Sequence, residues 1–79
     1  MKTKFDSTEK EAVFYDVYLD GERQDFCKKA NVVEGWVDVY ELKPHDNTFE
    51  VILDKEGHPK VTRKSGKVEL IYNKLDFII

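Results

Sequence analysis

The stretch Glu34-Gly35-Trp36-Val37-Asp38-Val39-Tyr40-Glu41-Leu42 constrains this chain more than any other, and it holds the only tryptophan. β-branched and aromatic residues crowd it too densely for a comfortable helix, and its alternation has the period of a strand. Trp36, Tyr40 and Leu42 fall on one face together with Asp38, while Val37 and Val39 fall on the other. A strand with apolar groups on both faces lies in the middle of a small barrel or sandwich, or half of it meets a partner.

The flanking sequence repeats the same period. Residues 1–11 are polar, with alternating charge, and read as an N-terminal tail; Asp6 followed by Glu9 offers at most one capped helical turn. Residues 12–79 then read as a single β-domain. From Ala12, Val13, Tyr15, Val17 and Leu19 point one way, and Ala12, Phe14, Asp16 and Tyr18 the other. Asp20-Gly21 is a hairpin signal, because glycine accepts the positive φ of a tight primed turn. A short polar strand from Arg23 to Lys28, guarded by charge, is expected next. Gly35 marks a bend before Trp36, and Pro44 ends the pairing of the central strand. Phe49, Val51 and Leu53 suggest a core-facing strand, and Asp54-Lys55-Glu56-Gly57 a four-residue loop. Val61–Lys64 and Lys67–Tyr72 are joined by Ser65-Gly66, with Val68, Leu70 and Tyr72 facing inward. Strands this short, separated by turn signals, imply an all-β fold: an antiparallel meander, barrel or sandwich of five or six strands with little helix.

Composition sets limits on function. Seventy-nine residues suffice for one core. Cys27 is the only cysteine, so no intrachain disulfide forms and a reducing compartment suits the chain. No apolar run spans a bilayer and no signal-peptide core is present, which makes a soluble protein of the cell interior the expectation. The net charge of −3 divides unevenly: residues 1–56 carry 14 acids against 8 bases, residues 57–79 carry 5 bases against 2 acids. Overall acidity argues against non-specific duplex binding, which needs a broad positive surface.

Three constellations are candidates for function. Phe14 and Tyr18 on the first strand, with Trp36 and Tyr40 on the central one, would share a surface if those strands pair. That surface is either a second core layer or a patch for a protein or for stacked bases. Lys60, Arg63, Lys64 and Lys67 surround Ser65-Gly66 as a basic edge, suited to gripping phosphate or simply to keeping an edge solvated. Leu75-Asp76-Phe77-Ile78-Ile79 is either the last strand of the sheet or an arm for a neighbouring edge, which makes Phe77, Ile78 and Ile79 candidate binding residues. Chemistry is poorly represented. His45 and His58 sit in turns beside Pro44 and Pro59 without a second ligand at useful spacing, so no metal and no cofactor is expected. Cys27 has no histidine nearby, and no carboxylate pattern picks out an acid–base pair. The expectation is that the protein is not an enzyme.

Tyr15-x-Val17-x-Leu19-Asp20-Gly21, Cys27, Ala30, Glu34-Gly35-Trp36-Val37, Tyr40, Gly57 and Gly66-Lys67-Val68-Glu69 together resemble a small β-protein of tailed bacteriophages. The likeness spans about residues 15–70 and rests on turn glycines and core positions. Asn31 stands where that pattern has an acidic residue. The resemblance implies a phage-encoded β-domain associated with virion assembly and carries over no catalytic residue. Together with the two-faced central strand, the apolar C-terminal segment and the missing chemistry, the expectation is a structural or accessory protein of the host cytoplasm or the virion that acts through protein–protein contacts or self-association. Two other readings stand beside it. One is an OB-like or SH3-like barrel binding single-stranded nucleic acid through Trp36, Tyr40, Phe14 and the basic edge. The other is an inhibitor that fills a host enzyme's charged groove.

Overall fold

The computed structural model describes residues 2–73. Among these the chain is all-β and antiparallel, with nine short strands in place of the five or six expected. They are β1 (Lys4–Asp6), β2 (Tyr15–Leu19), β3 (Glu22–Arg23), β4 (Cys27–Asn31), β5 (Trp36–Tyr40), β6 (Leu42–His45), β7 (Thr48–Val51), β8 (Val61–Ser65) and β9 (Val68–Tyr72). A four-stranded sheet has the order β1-β4-β5-β8, and a three-stranded sheet the order β3-β2-β9. Strands β6 and β7 form a separate two-stranded ribbon.

The two larger sheets meet across one core and do not close into a barrel. Phe5 of β1, Val17 and Leu19 of β2, Cys27 and Ala30 of β4, Val37 of β5 and Val68 of β9 form it. Val37, at 0% exposed, is its centre, as expected for the inward side of a strand paired on both edges. Tyr15, Val17 and Leu19 share the inward side of β2 as their alternation requires, although Tyr15 is only partly buried. Cys27 and Ala30 are three positions apart and both buried, which simple alternation forbids. A bulge between Cys27 and Lys29 resolves this, since its extra residue shifts the phase of the strand.

Several expectations change here. The supposed tail contributes β1, because Phe5 finds a place in the core and Lys4–Asp6 pairs with Lys29–Asn31. Asp6 then closes the strand: its Oδ1 accepts the Thr8 N–H at 2.9 Å and the Thr8 hydroxyl at 2.7 Å, which holds its carboxyl below the ordinary value. Residues Lys10–Phe14 form a 3-10 turn, so the strand begins at Tyr15 and Phe14 leaves its face. The stretch from Arg23 to Lys28 is broken at Phe26, whose φ of 59° turns the chain from one sheet into the other. Pro44 does not end pairing but stands opposite Phe49 in the β6–β7 ribbon, where an open edge tolerates its missing N–H. Phe49 faces solvent because that ribbon stands away from the core, and Leu53, in the loop after it and bridged to Pro59, is exposed as well. Strands β8 and β9 do not pair with each other: β8 joins β5 and β9 joins β2.

The corner between β8 and β9 is where the sheets are clasped. Asp20 donates its N–H to the Lys67 carbonyl at 2.8 Å, and its Oδ1 accepts the Lys67 N–H at 2.9 Å. Gly66 donates its N–H to the Gly35 carbonyl at 3.0 Å. A Cβ on Gly35, whose φ is +74°, would stand 2.9 Å from the Gly66 carbonyl oxygen. Three turns far apart in sequence therefore lock one end of the molecule.

Candidate functional site

The aromatic surface does not form as one unit. Tyr18 lies in the three-stranded sheet and Phe14 in the turn before it, whereas Trp36 and Tyr40 lie in the four-stranded sheet, so β2 and β5 never pair. Phe14 instead meets Tyr72, ring centroids 6.1 Å apart, and Tyr15 meets the same ring at 5.1 Å.

Around Trp36 the outer face of the four-stranded sheet carries a polar network. The β4–β5 turn is tied by Asn31, whose Oδ1 accepts the Glu34 N–H at 2.9 Å and whose Nδ2 donates to Glu34 Oε1 at 3.3 Å. The same Oε1 accepts the indole Nε1–H of Trp36 at 2.8 Å, which fixes the ring. Register places Arg63 opposite Asp38. Its Nε donates to Asp38 Oδ1 at 2.8 Å and its Nη2 to Oδ2 at 3.1 Å, while Cζ stands 3.8 Å from the Trp36 ring centroid. The forked pair matches guanidinium to carboxylate, and the stack adds a cation–π contact. The Asp38 hydrogen bond, foremost, raises the Arg63 pKa further above its ordinary value. This explains how Asp38 can be buried on a face that looks outward. Beside the network, between β1 and β4, lies an open depression of about 340 Å³ edged by Lys4, Asp6, Lys29 and Glu34.

The basic edge is dispersed. Arg63 pairs with Asp38 on the outer side, and Lys64, next along β8, is opposite Val37 and so on the other side of the strand. Its Nζ approaches Gln24 Oε1 at 3.4 Å. Lys60 precedes β8, and Lys67 follows the corner. With Arg63 over one face of the indole and paired to Asp38, and Glu34 holding the indole N–H, the Trp36 surface is partly occupied and its nearest cation is already matched by a carboxylate.

Among the described residues no group of three or more histidine, cysteine or carboxylate side chains could hold a metal, and no helix is long and apolar enough to cross a membrane. His45 lies 3.7 Å from both Asp46 and Glu50 in the β6–β7 ribbon, and His58 lies 3.5 Å from Glu56 at the Asp54–His58 turn, all of them exposed. Burial, with a smaller contribution from Asp38, pushes the Cys27 thiol up to about 11. Its Sγ donates to the Lys29 carbonyl at 3.2 Å, so the thiolate needed for nucleophilic chemistry is disfavoured.

What sequence reasoning missed is the β6–β7 arm. It and the following loop supply no residue to the core, yet Phe49 is 68% and Leu53 56% exposed. The arm is anchored at its base, where the Ile52 N–H donates to the Glu41 carbonyl at 2.9 Å, the Lys60 N–H to the Ile52 carbonyl at 2.8 Å and the Glu41 N–H to the Lys60 carbonyl at 3.0 Å. The available signal was Lys43-Pro44-His45-Asp46-Asn47, which is better suited to a ribbon tip than to a sheet interior. Phe77, Ile78 and Ile79 lie outside the described residues. The chain matches no protein-family model, no curated protein and no solved structure.

Proposed function

We propose that this protein is a non-enzymatic interaction module that holds another protein through the β6–β7 arm. The observation that carries the reading is a two-stranded ribbon, outside the core, presenting Phe49 to solvent, with Leu53 exposed in the loop that follows it. An isolated ribbon is marginal in water, and bulky apolar groups at its surface are stabilised when a partner covers them. The sequence resemblance to a small protein of tailed bacteriophages supports a partner among virion-assembly proteins, met in the host cytoplasm. The dispersed cations and the carboxylates around Trp36 favour this reading over a single-stranded nucleic-acid platform, which needs free ring faces beside positive charge.

A photo-crosslinking residue placed at Thr48 in the full chain tests it in lysate of phage-infected cells. The expected result is a discrete crosslinked protein that disappears on Phe49→Asp or Leu53→Asp and persists on Lys55→Asp. Crosslinks unchanged by the first two substitutions would overturn the proposal. So would an oligonucleotide gel shift at low salt that is abolished by Trp36→Ala.

A further inference from the structure

Among the described residues the two larger sheets leave four strand edges, apart from those of the β6–β7 ribbon, and three of the four are guarded. Strand β3 has two residues and β1 three, too short to template another strand. Strand β8 carries Arg63 and Lys64, with Lys60 just before it, so a copy laid against it brings like charges together. Strand β9 is different. It runs Val68-Glu69-Leu70-Ile71-Tyr72, without proline, glycine or bulge and with a single charge, and among the described residues it pairs only with β2. Ile71 is 45% and Tyr72 54% exposed, and a depression of about 200 Å³ runs beside the strand, lined by Val32, Val68, Leu70 and Ile71 with Lys2 and Glu69 at its rim.

The hydrogen-bond phase of β9 can be read from its ends. The Lys67 carbonyl accepts from Asp20, and the Asn73 N–H donates to the Phe14 carbonyl, both in register with the β2 ladder. Bonded and non-bonded pairs alternate in an antiparallel ladder, so Glu69 and Ile71 bond to β2, and Val68, Leu70 and Tyr72 turn their peptide groups to the open side.

We propose that the open edge of β9 is a self-association site, occupied by β9 of a second copy across a two-fold axis at Leu70. Antiparallel pairing then sets Leu70 against the second copy's Leu70 and Val68 against the second copy's Tyr72, with roughly six backbone hydrogen bonds. Glu69 meets the second copy's Ile71, so no like charges oppose, and the three-stranded sheet continues unbroken into its mate. This surface is separate from the β6–β7 arm and stands whether or not that arm binds a partner.

Sedimentation of the full chain tests the register by charge. The expected mass is twice 9.3 kDa. Ile71→Glu sets two carboxylate pairs against each other and weakens association on the order of tenfold. Ile71→Lys, which faces Glu69, keeps the dimer, and Glu69→Lys combined with Ile71→Glu restores it. Far-ultraviolet dichroism checks that each variant is folded. Independently, Leu70→Cys in a Cys27→Ala background oxidises to a covalent dimer, whereas Ile71→Cys does not. A chain that stays monomeric at high concentration overturns the proposal, as does equal weakening by Ile71→Glu and Ile71→Lys. A monomer that dimerises only when Leu75, Phe77 and Ile79 are replaced by serine would assign the edge to those residues instead.

Discussion

Replacing Gly35 with alanine tests the clasp between the sheets. At a φ of +74° any L-residue is strained, at a cost of roughly 1–2 kcal/mol. A Cβ there also stands 2.9 Å from the Gly66 carbonyl oxygen, which is backbone and cannot swing aside. Separating the two turns weakens the bond from the Gly66 N–H to the Gly35 carbonyl, adding about 1–2 kcal/mol. Gly21 is the internal control, since its φ is +84° but nothing lies within 4 Å of an added methyl. Gly21→Ala therefore carries the backbone cost alone, and Gly35→Ala both costs, about 2–4 kcal/mol together. A chain of 79 residues has about 4–12 kcal/mol in all, so the second variant sits near the edge of folding. Urea titration followed by Trp36 fluorescence separates them: with a slope near 1 kcal/mol/M the midpoint falls by roughly 1 M for Gly21→Ala and by roughly 2 M or more for Gly35→Ala. Equal shifts would refute the clasp.

Two further outcomes follow from the outer face and the core. Arg63→Ala exposes the indole and leaves the buried Asp38 carboxylate without its forked partner, so stability falls and iodide quenches Trp36 more strongly; Arg63→Lys does not restore either, because an ammonium cannot make both bonds. The Cys27 thiol is held protonated in the fold up to about 11, against 9.0 for a free thiol. Its contribution is therefore complete below pH 9 and is lost as pH rises through 11, because the unfolded chain ionises first. Urea midpoints at about pH 8 and about pH 10 should show a drop in the parent chain that is smaller in Cys27→Ala, and the folded thiol should react slowly with a disulfide reagent at the lower pH.

Local chemistry determined much by itself. Asp20-Gly21 and Asp54–Gly57 turn as their residues dictate, since Asp20, Gly21 and Gly57 all have positive φ and the Asp54 carboxylate accepts the Glu56 and His58 N–H groups. The inward sides of β2 and β5 follow from alternation, and with them the all-β class. Phe5 shows where that reasoning stops: one aromatic in a polar segment is buried only because β4 offers an edge for Lys4–Asp6.

Tertiary structure decided which strands are neighbours. Nothing local in the two stretches says that Arg63 will lie across from Asp38, 25 positions away, or that Ser65-Gly66 will pass the chain between sheets instead of folding it back. Alternation records which side of a strand is apolar, whereas pairing depends on contacts between distant residues that become favourable only once a common core exists. The bulge at β4, the exposed arm and the open edge of β9 all follow from that choice of neighbours, and the proposed binding surfaces belong to the fold and not to any single stretch of the chain.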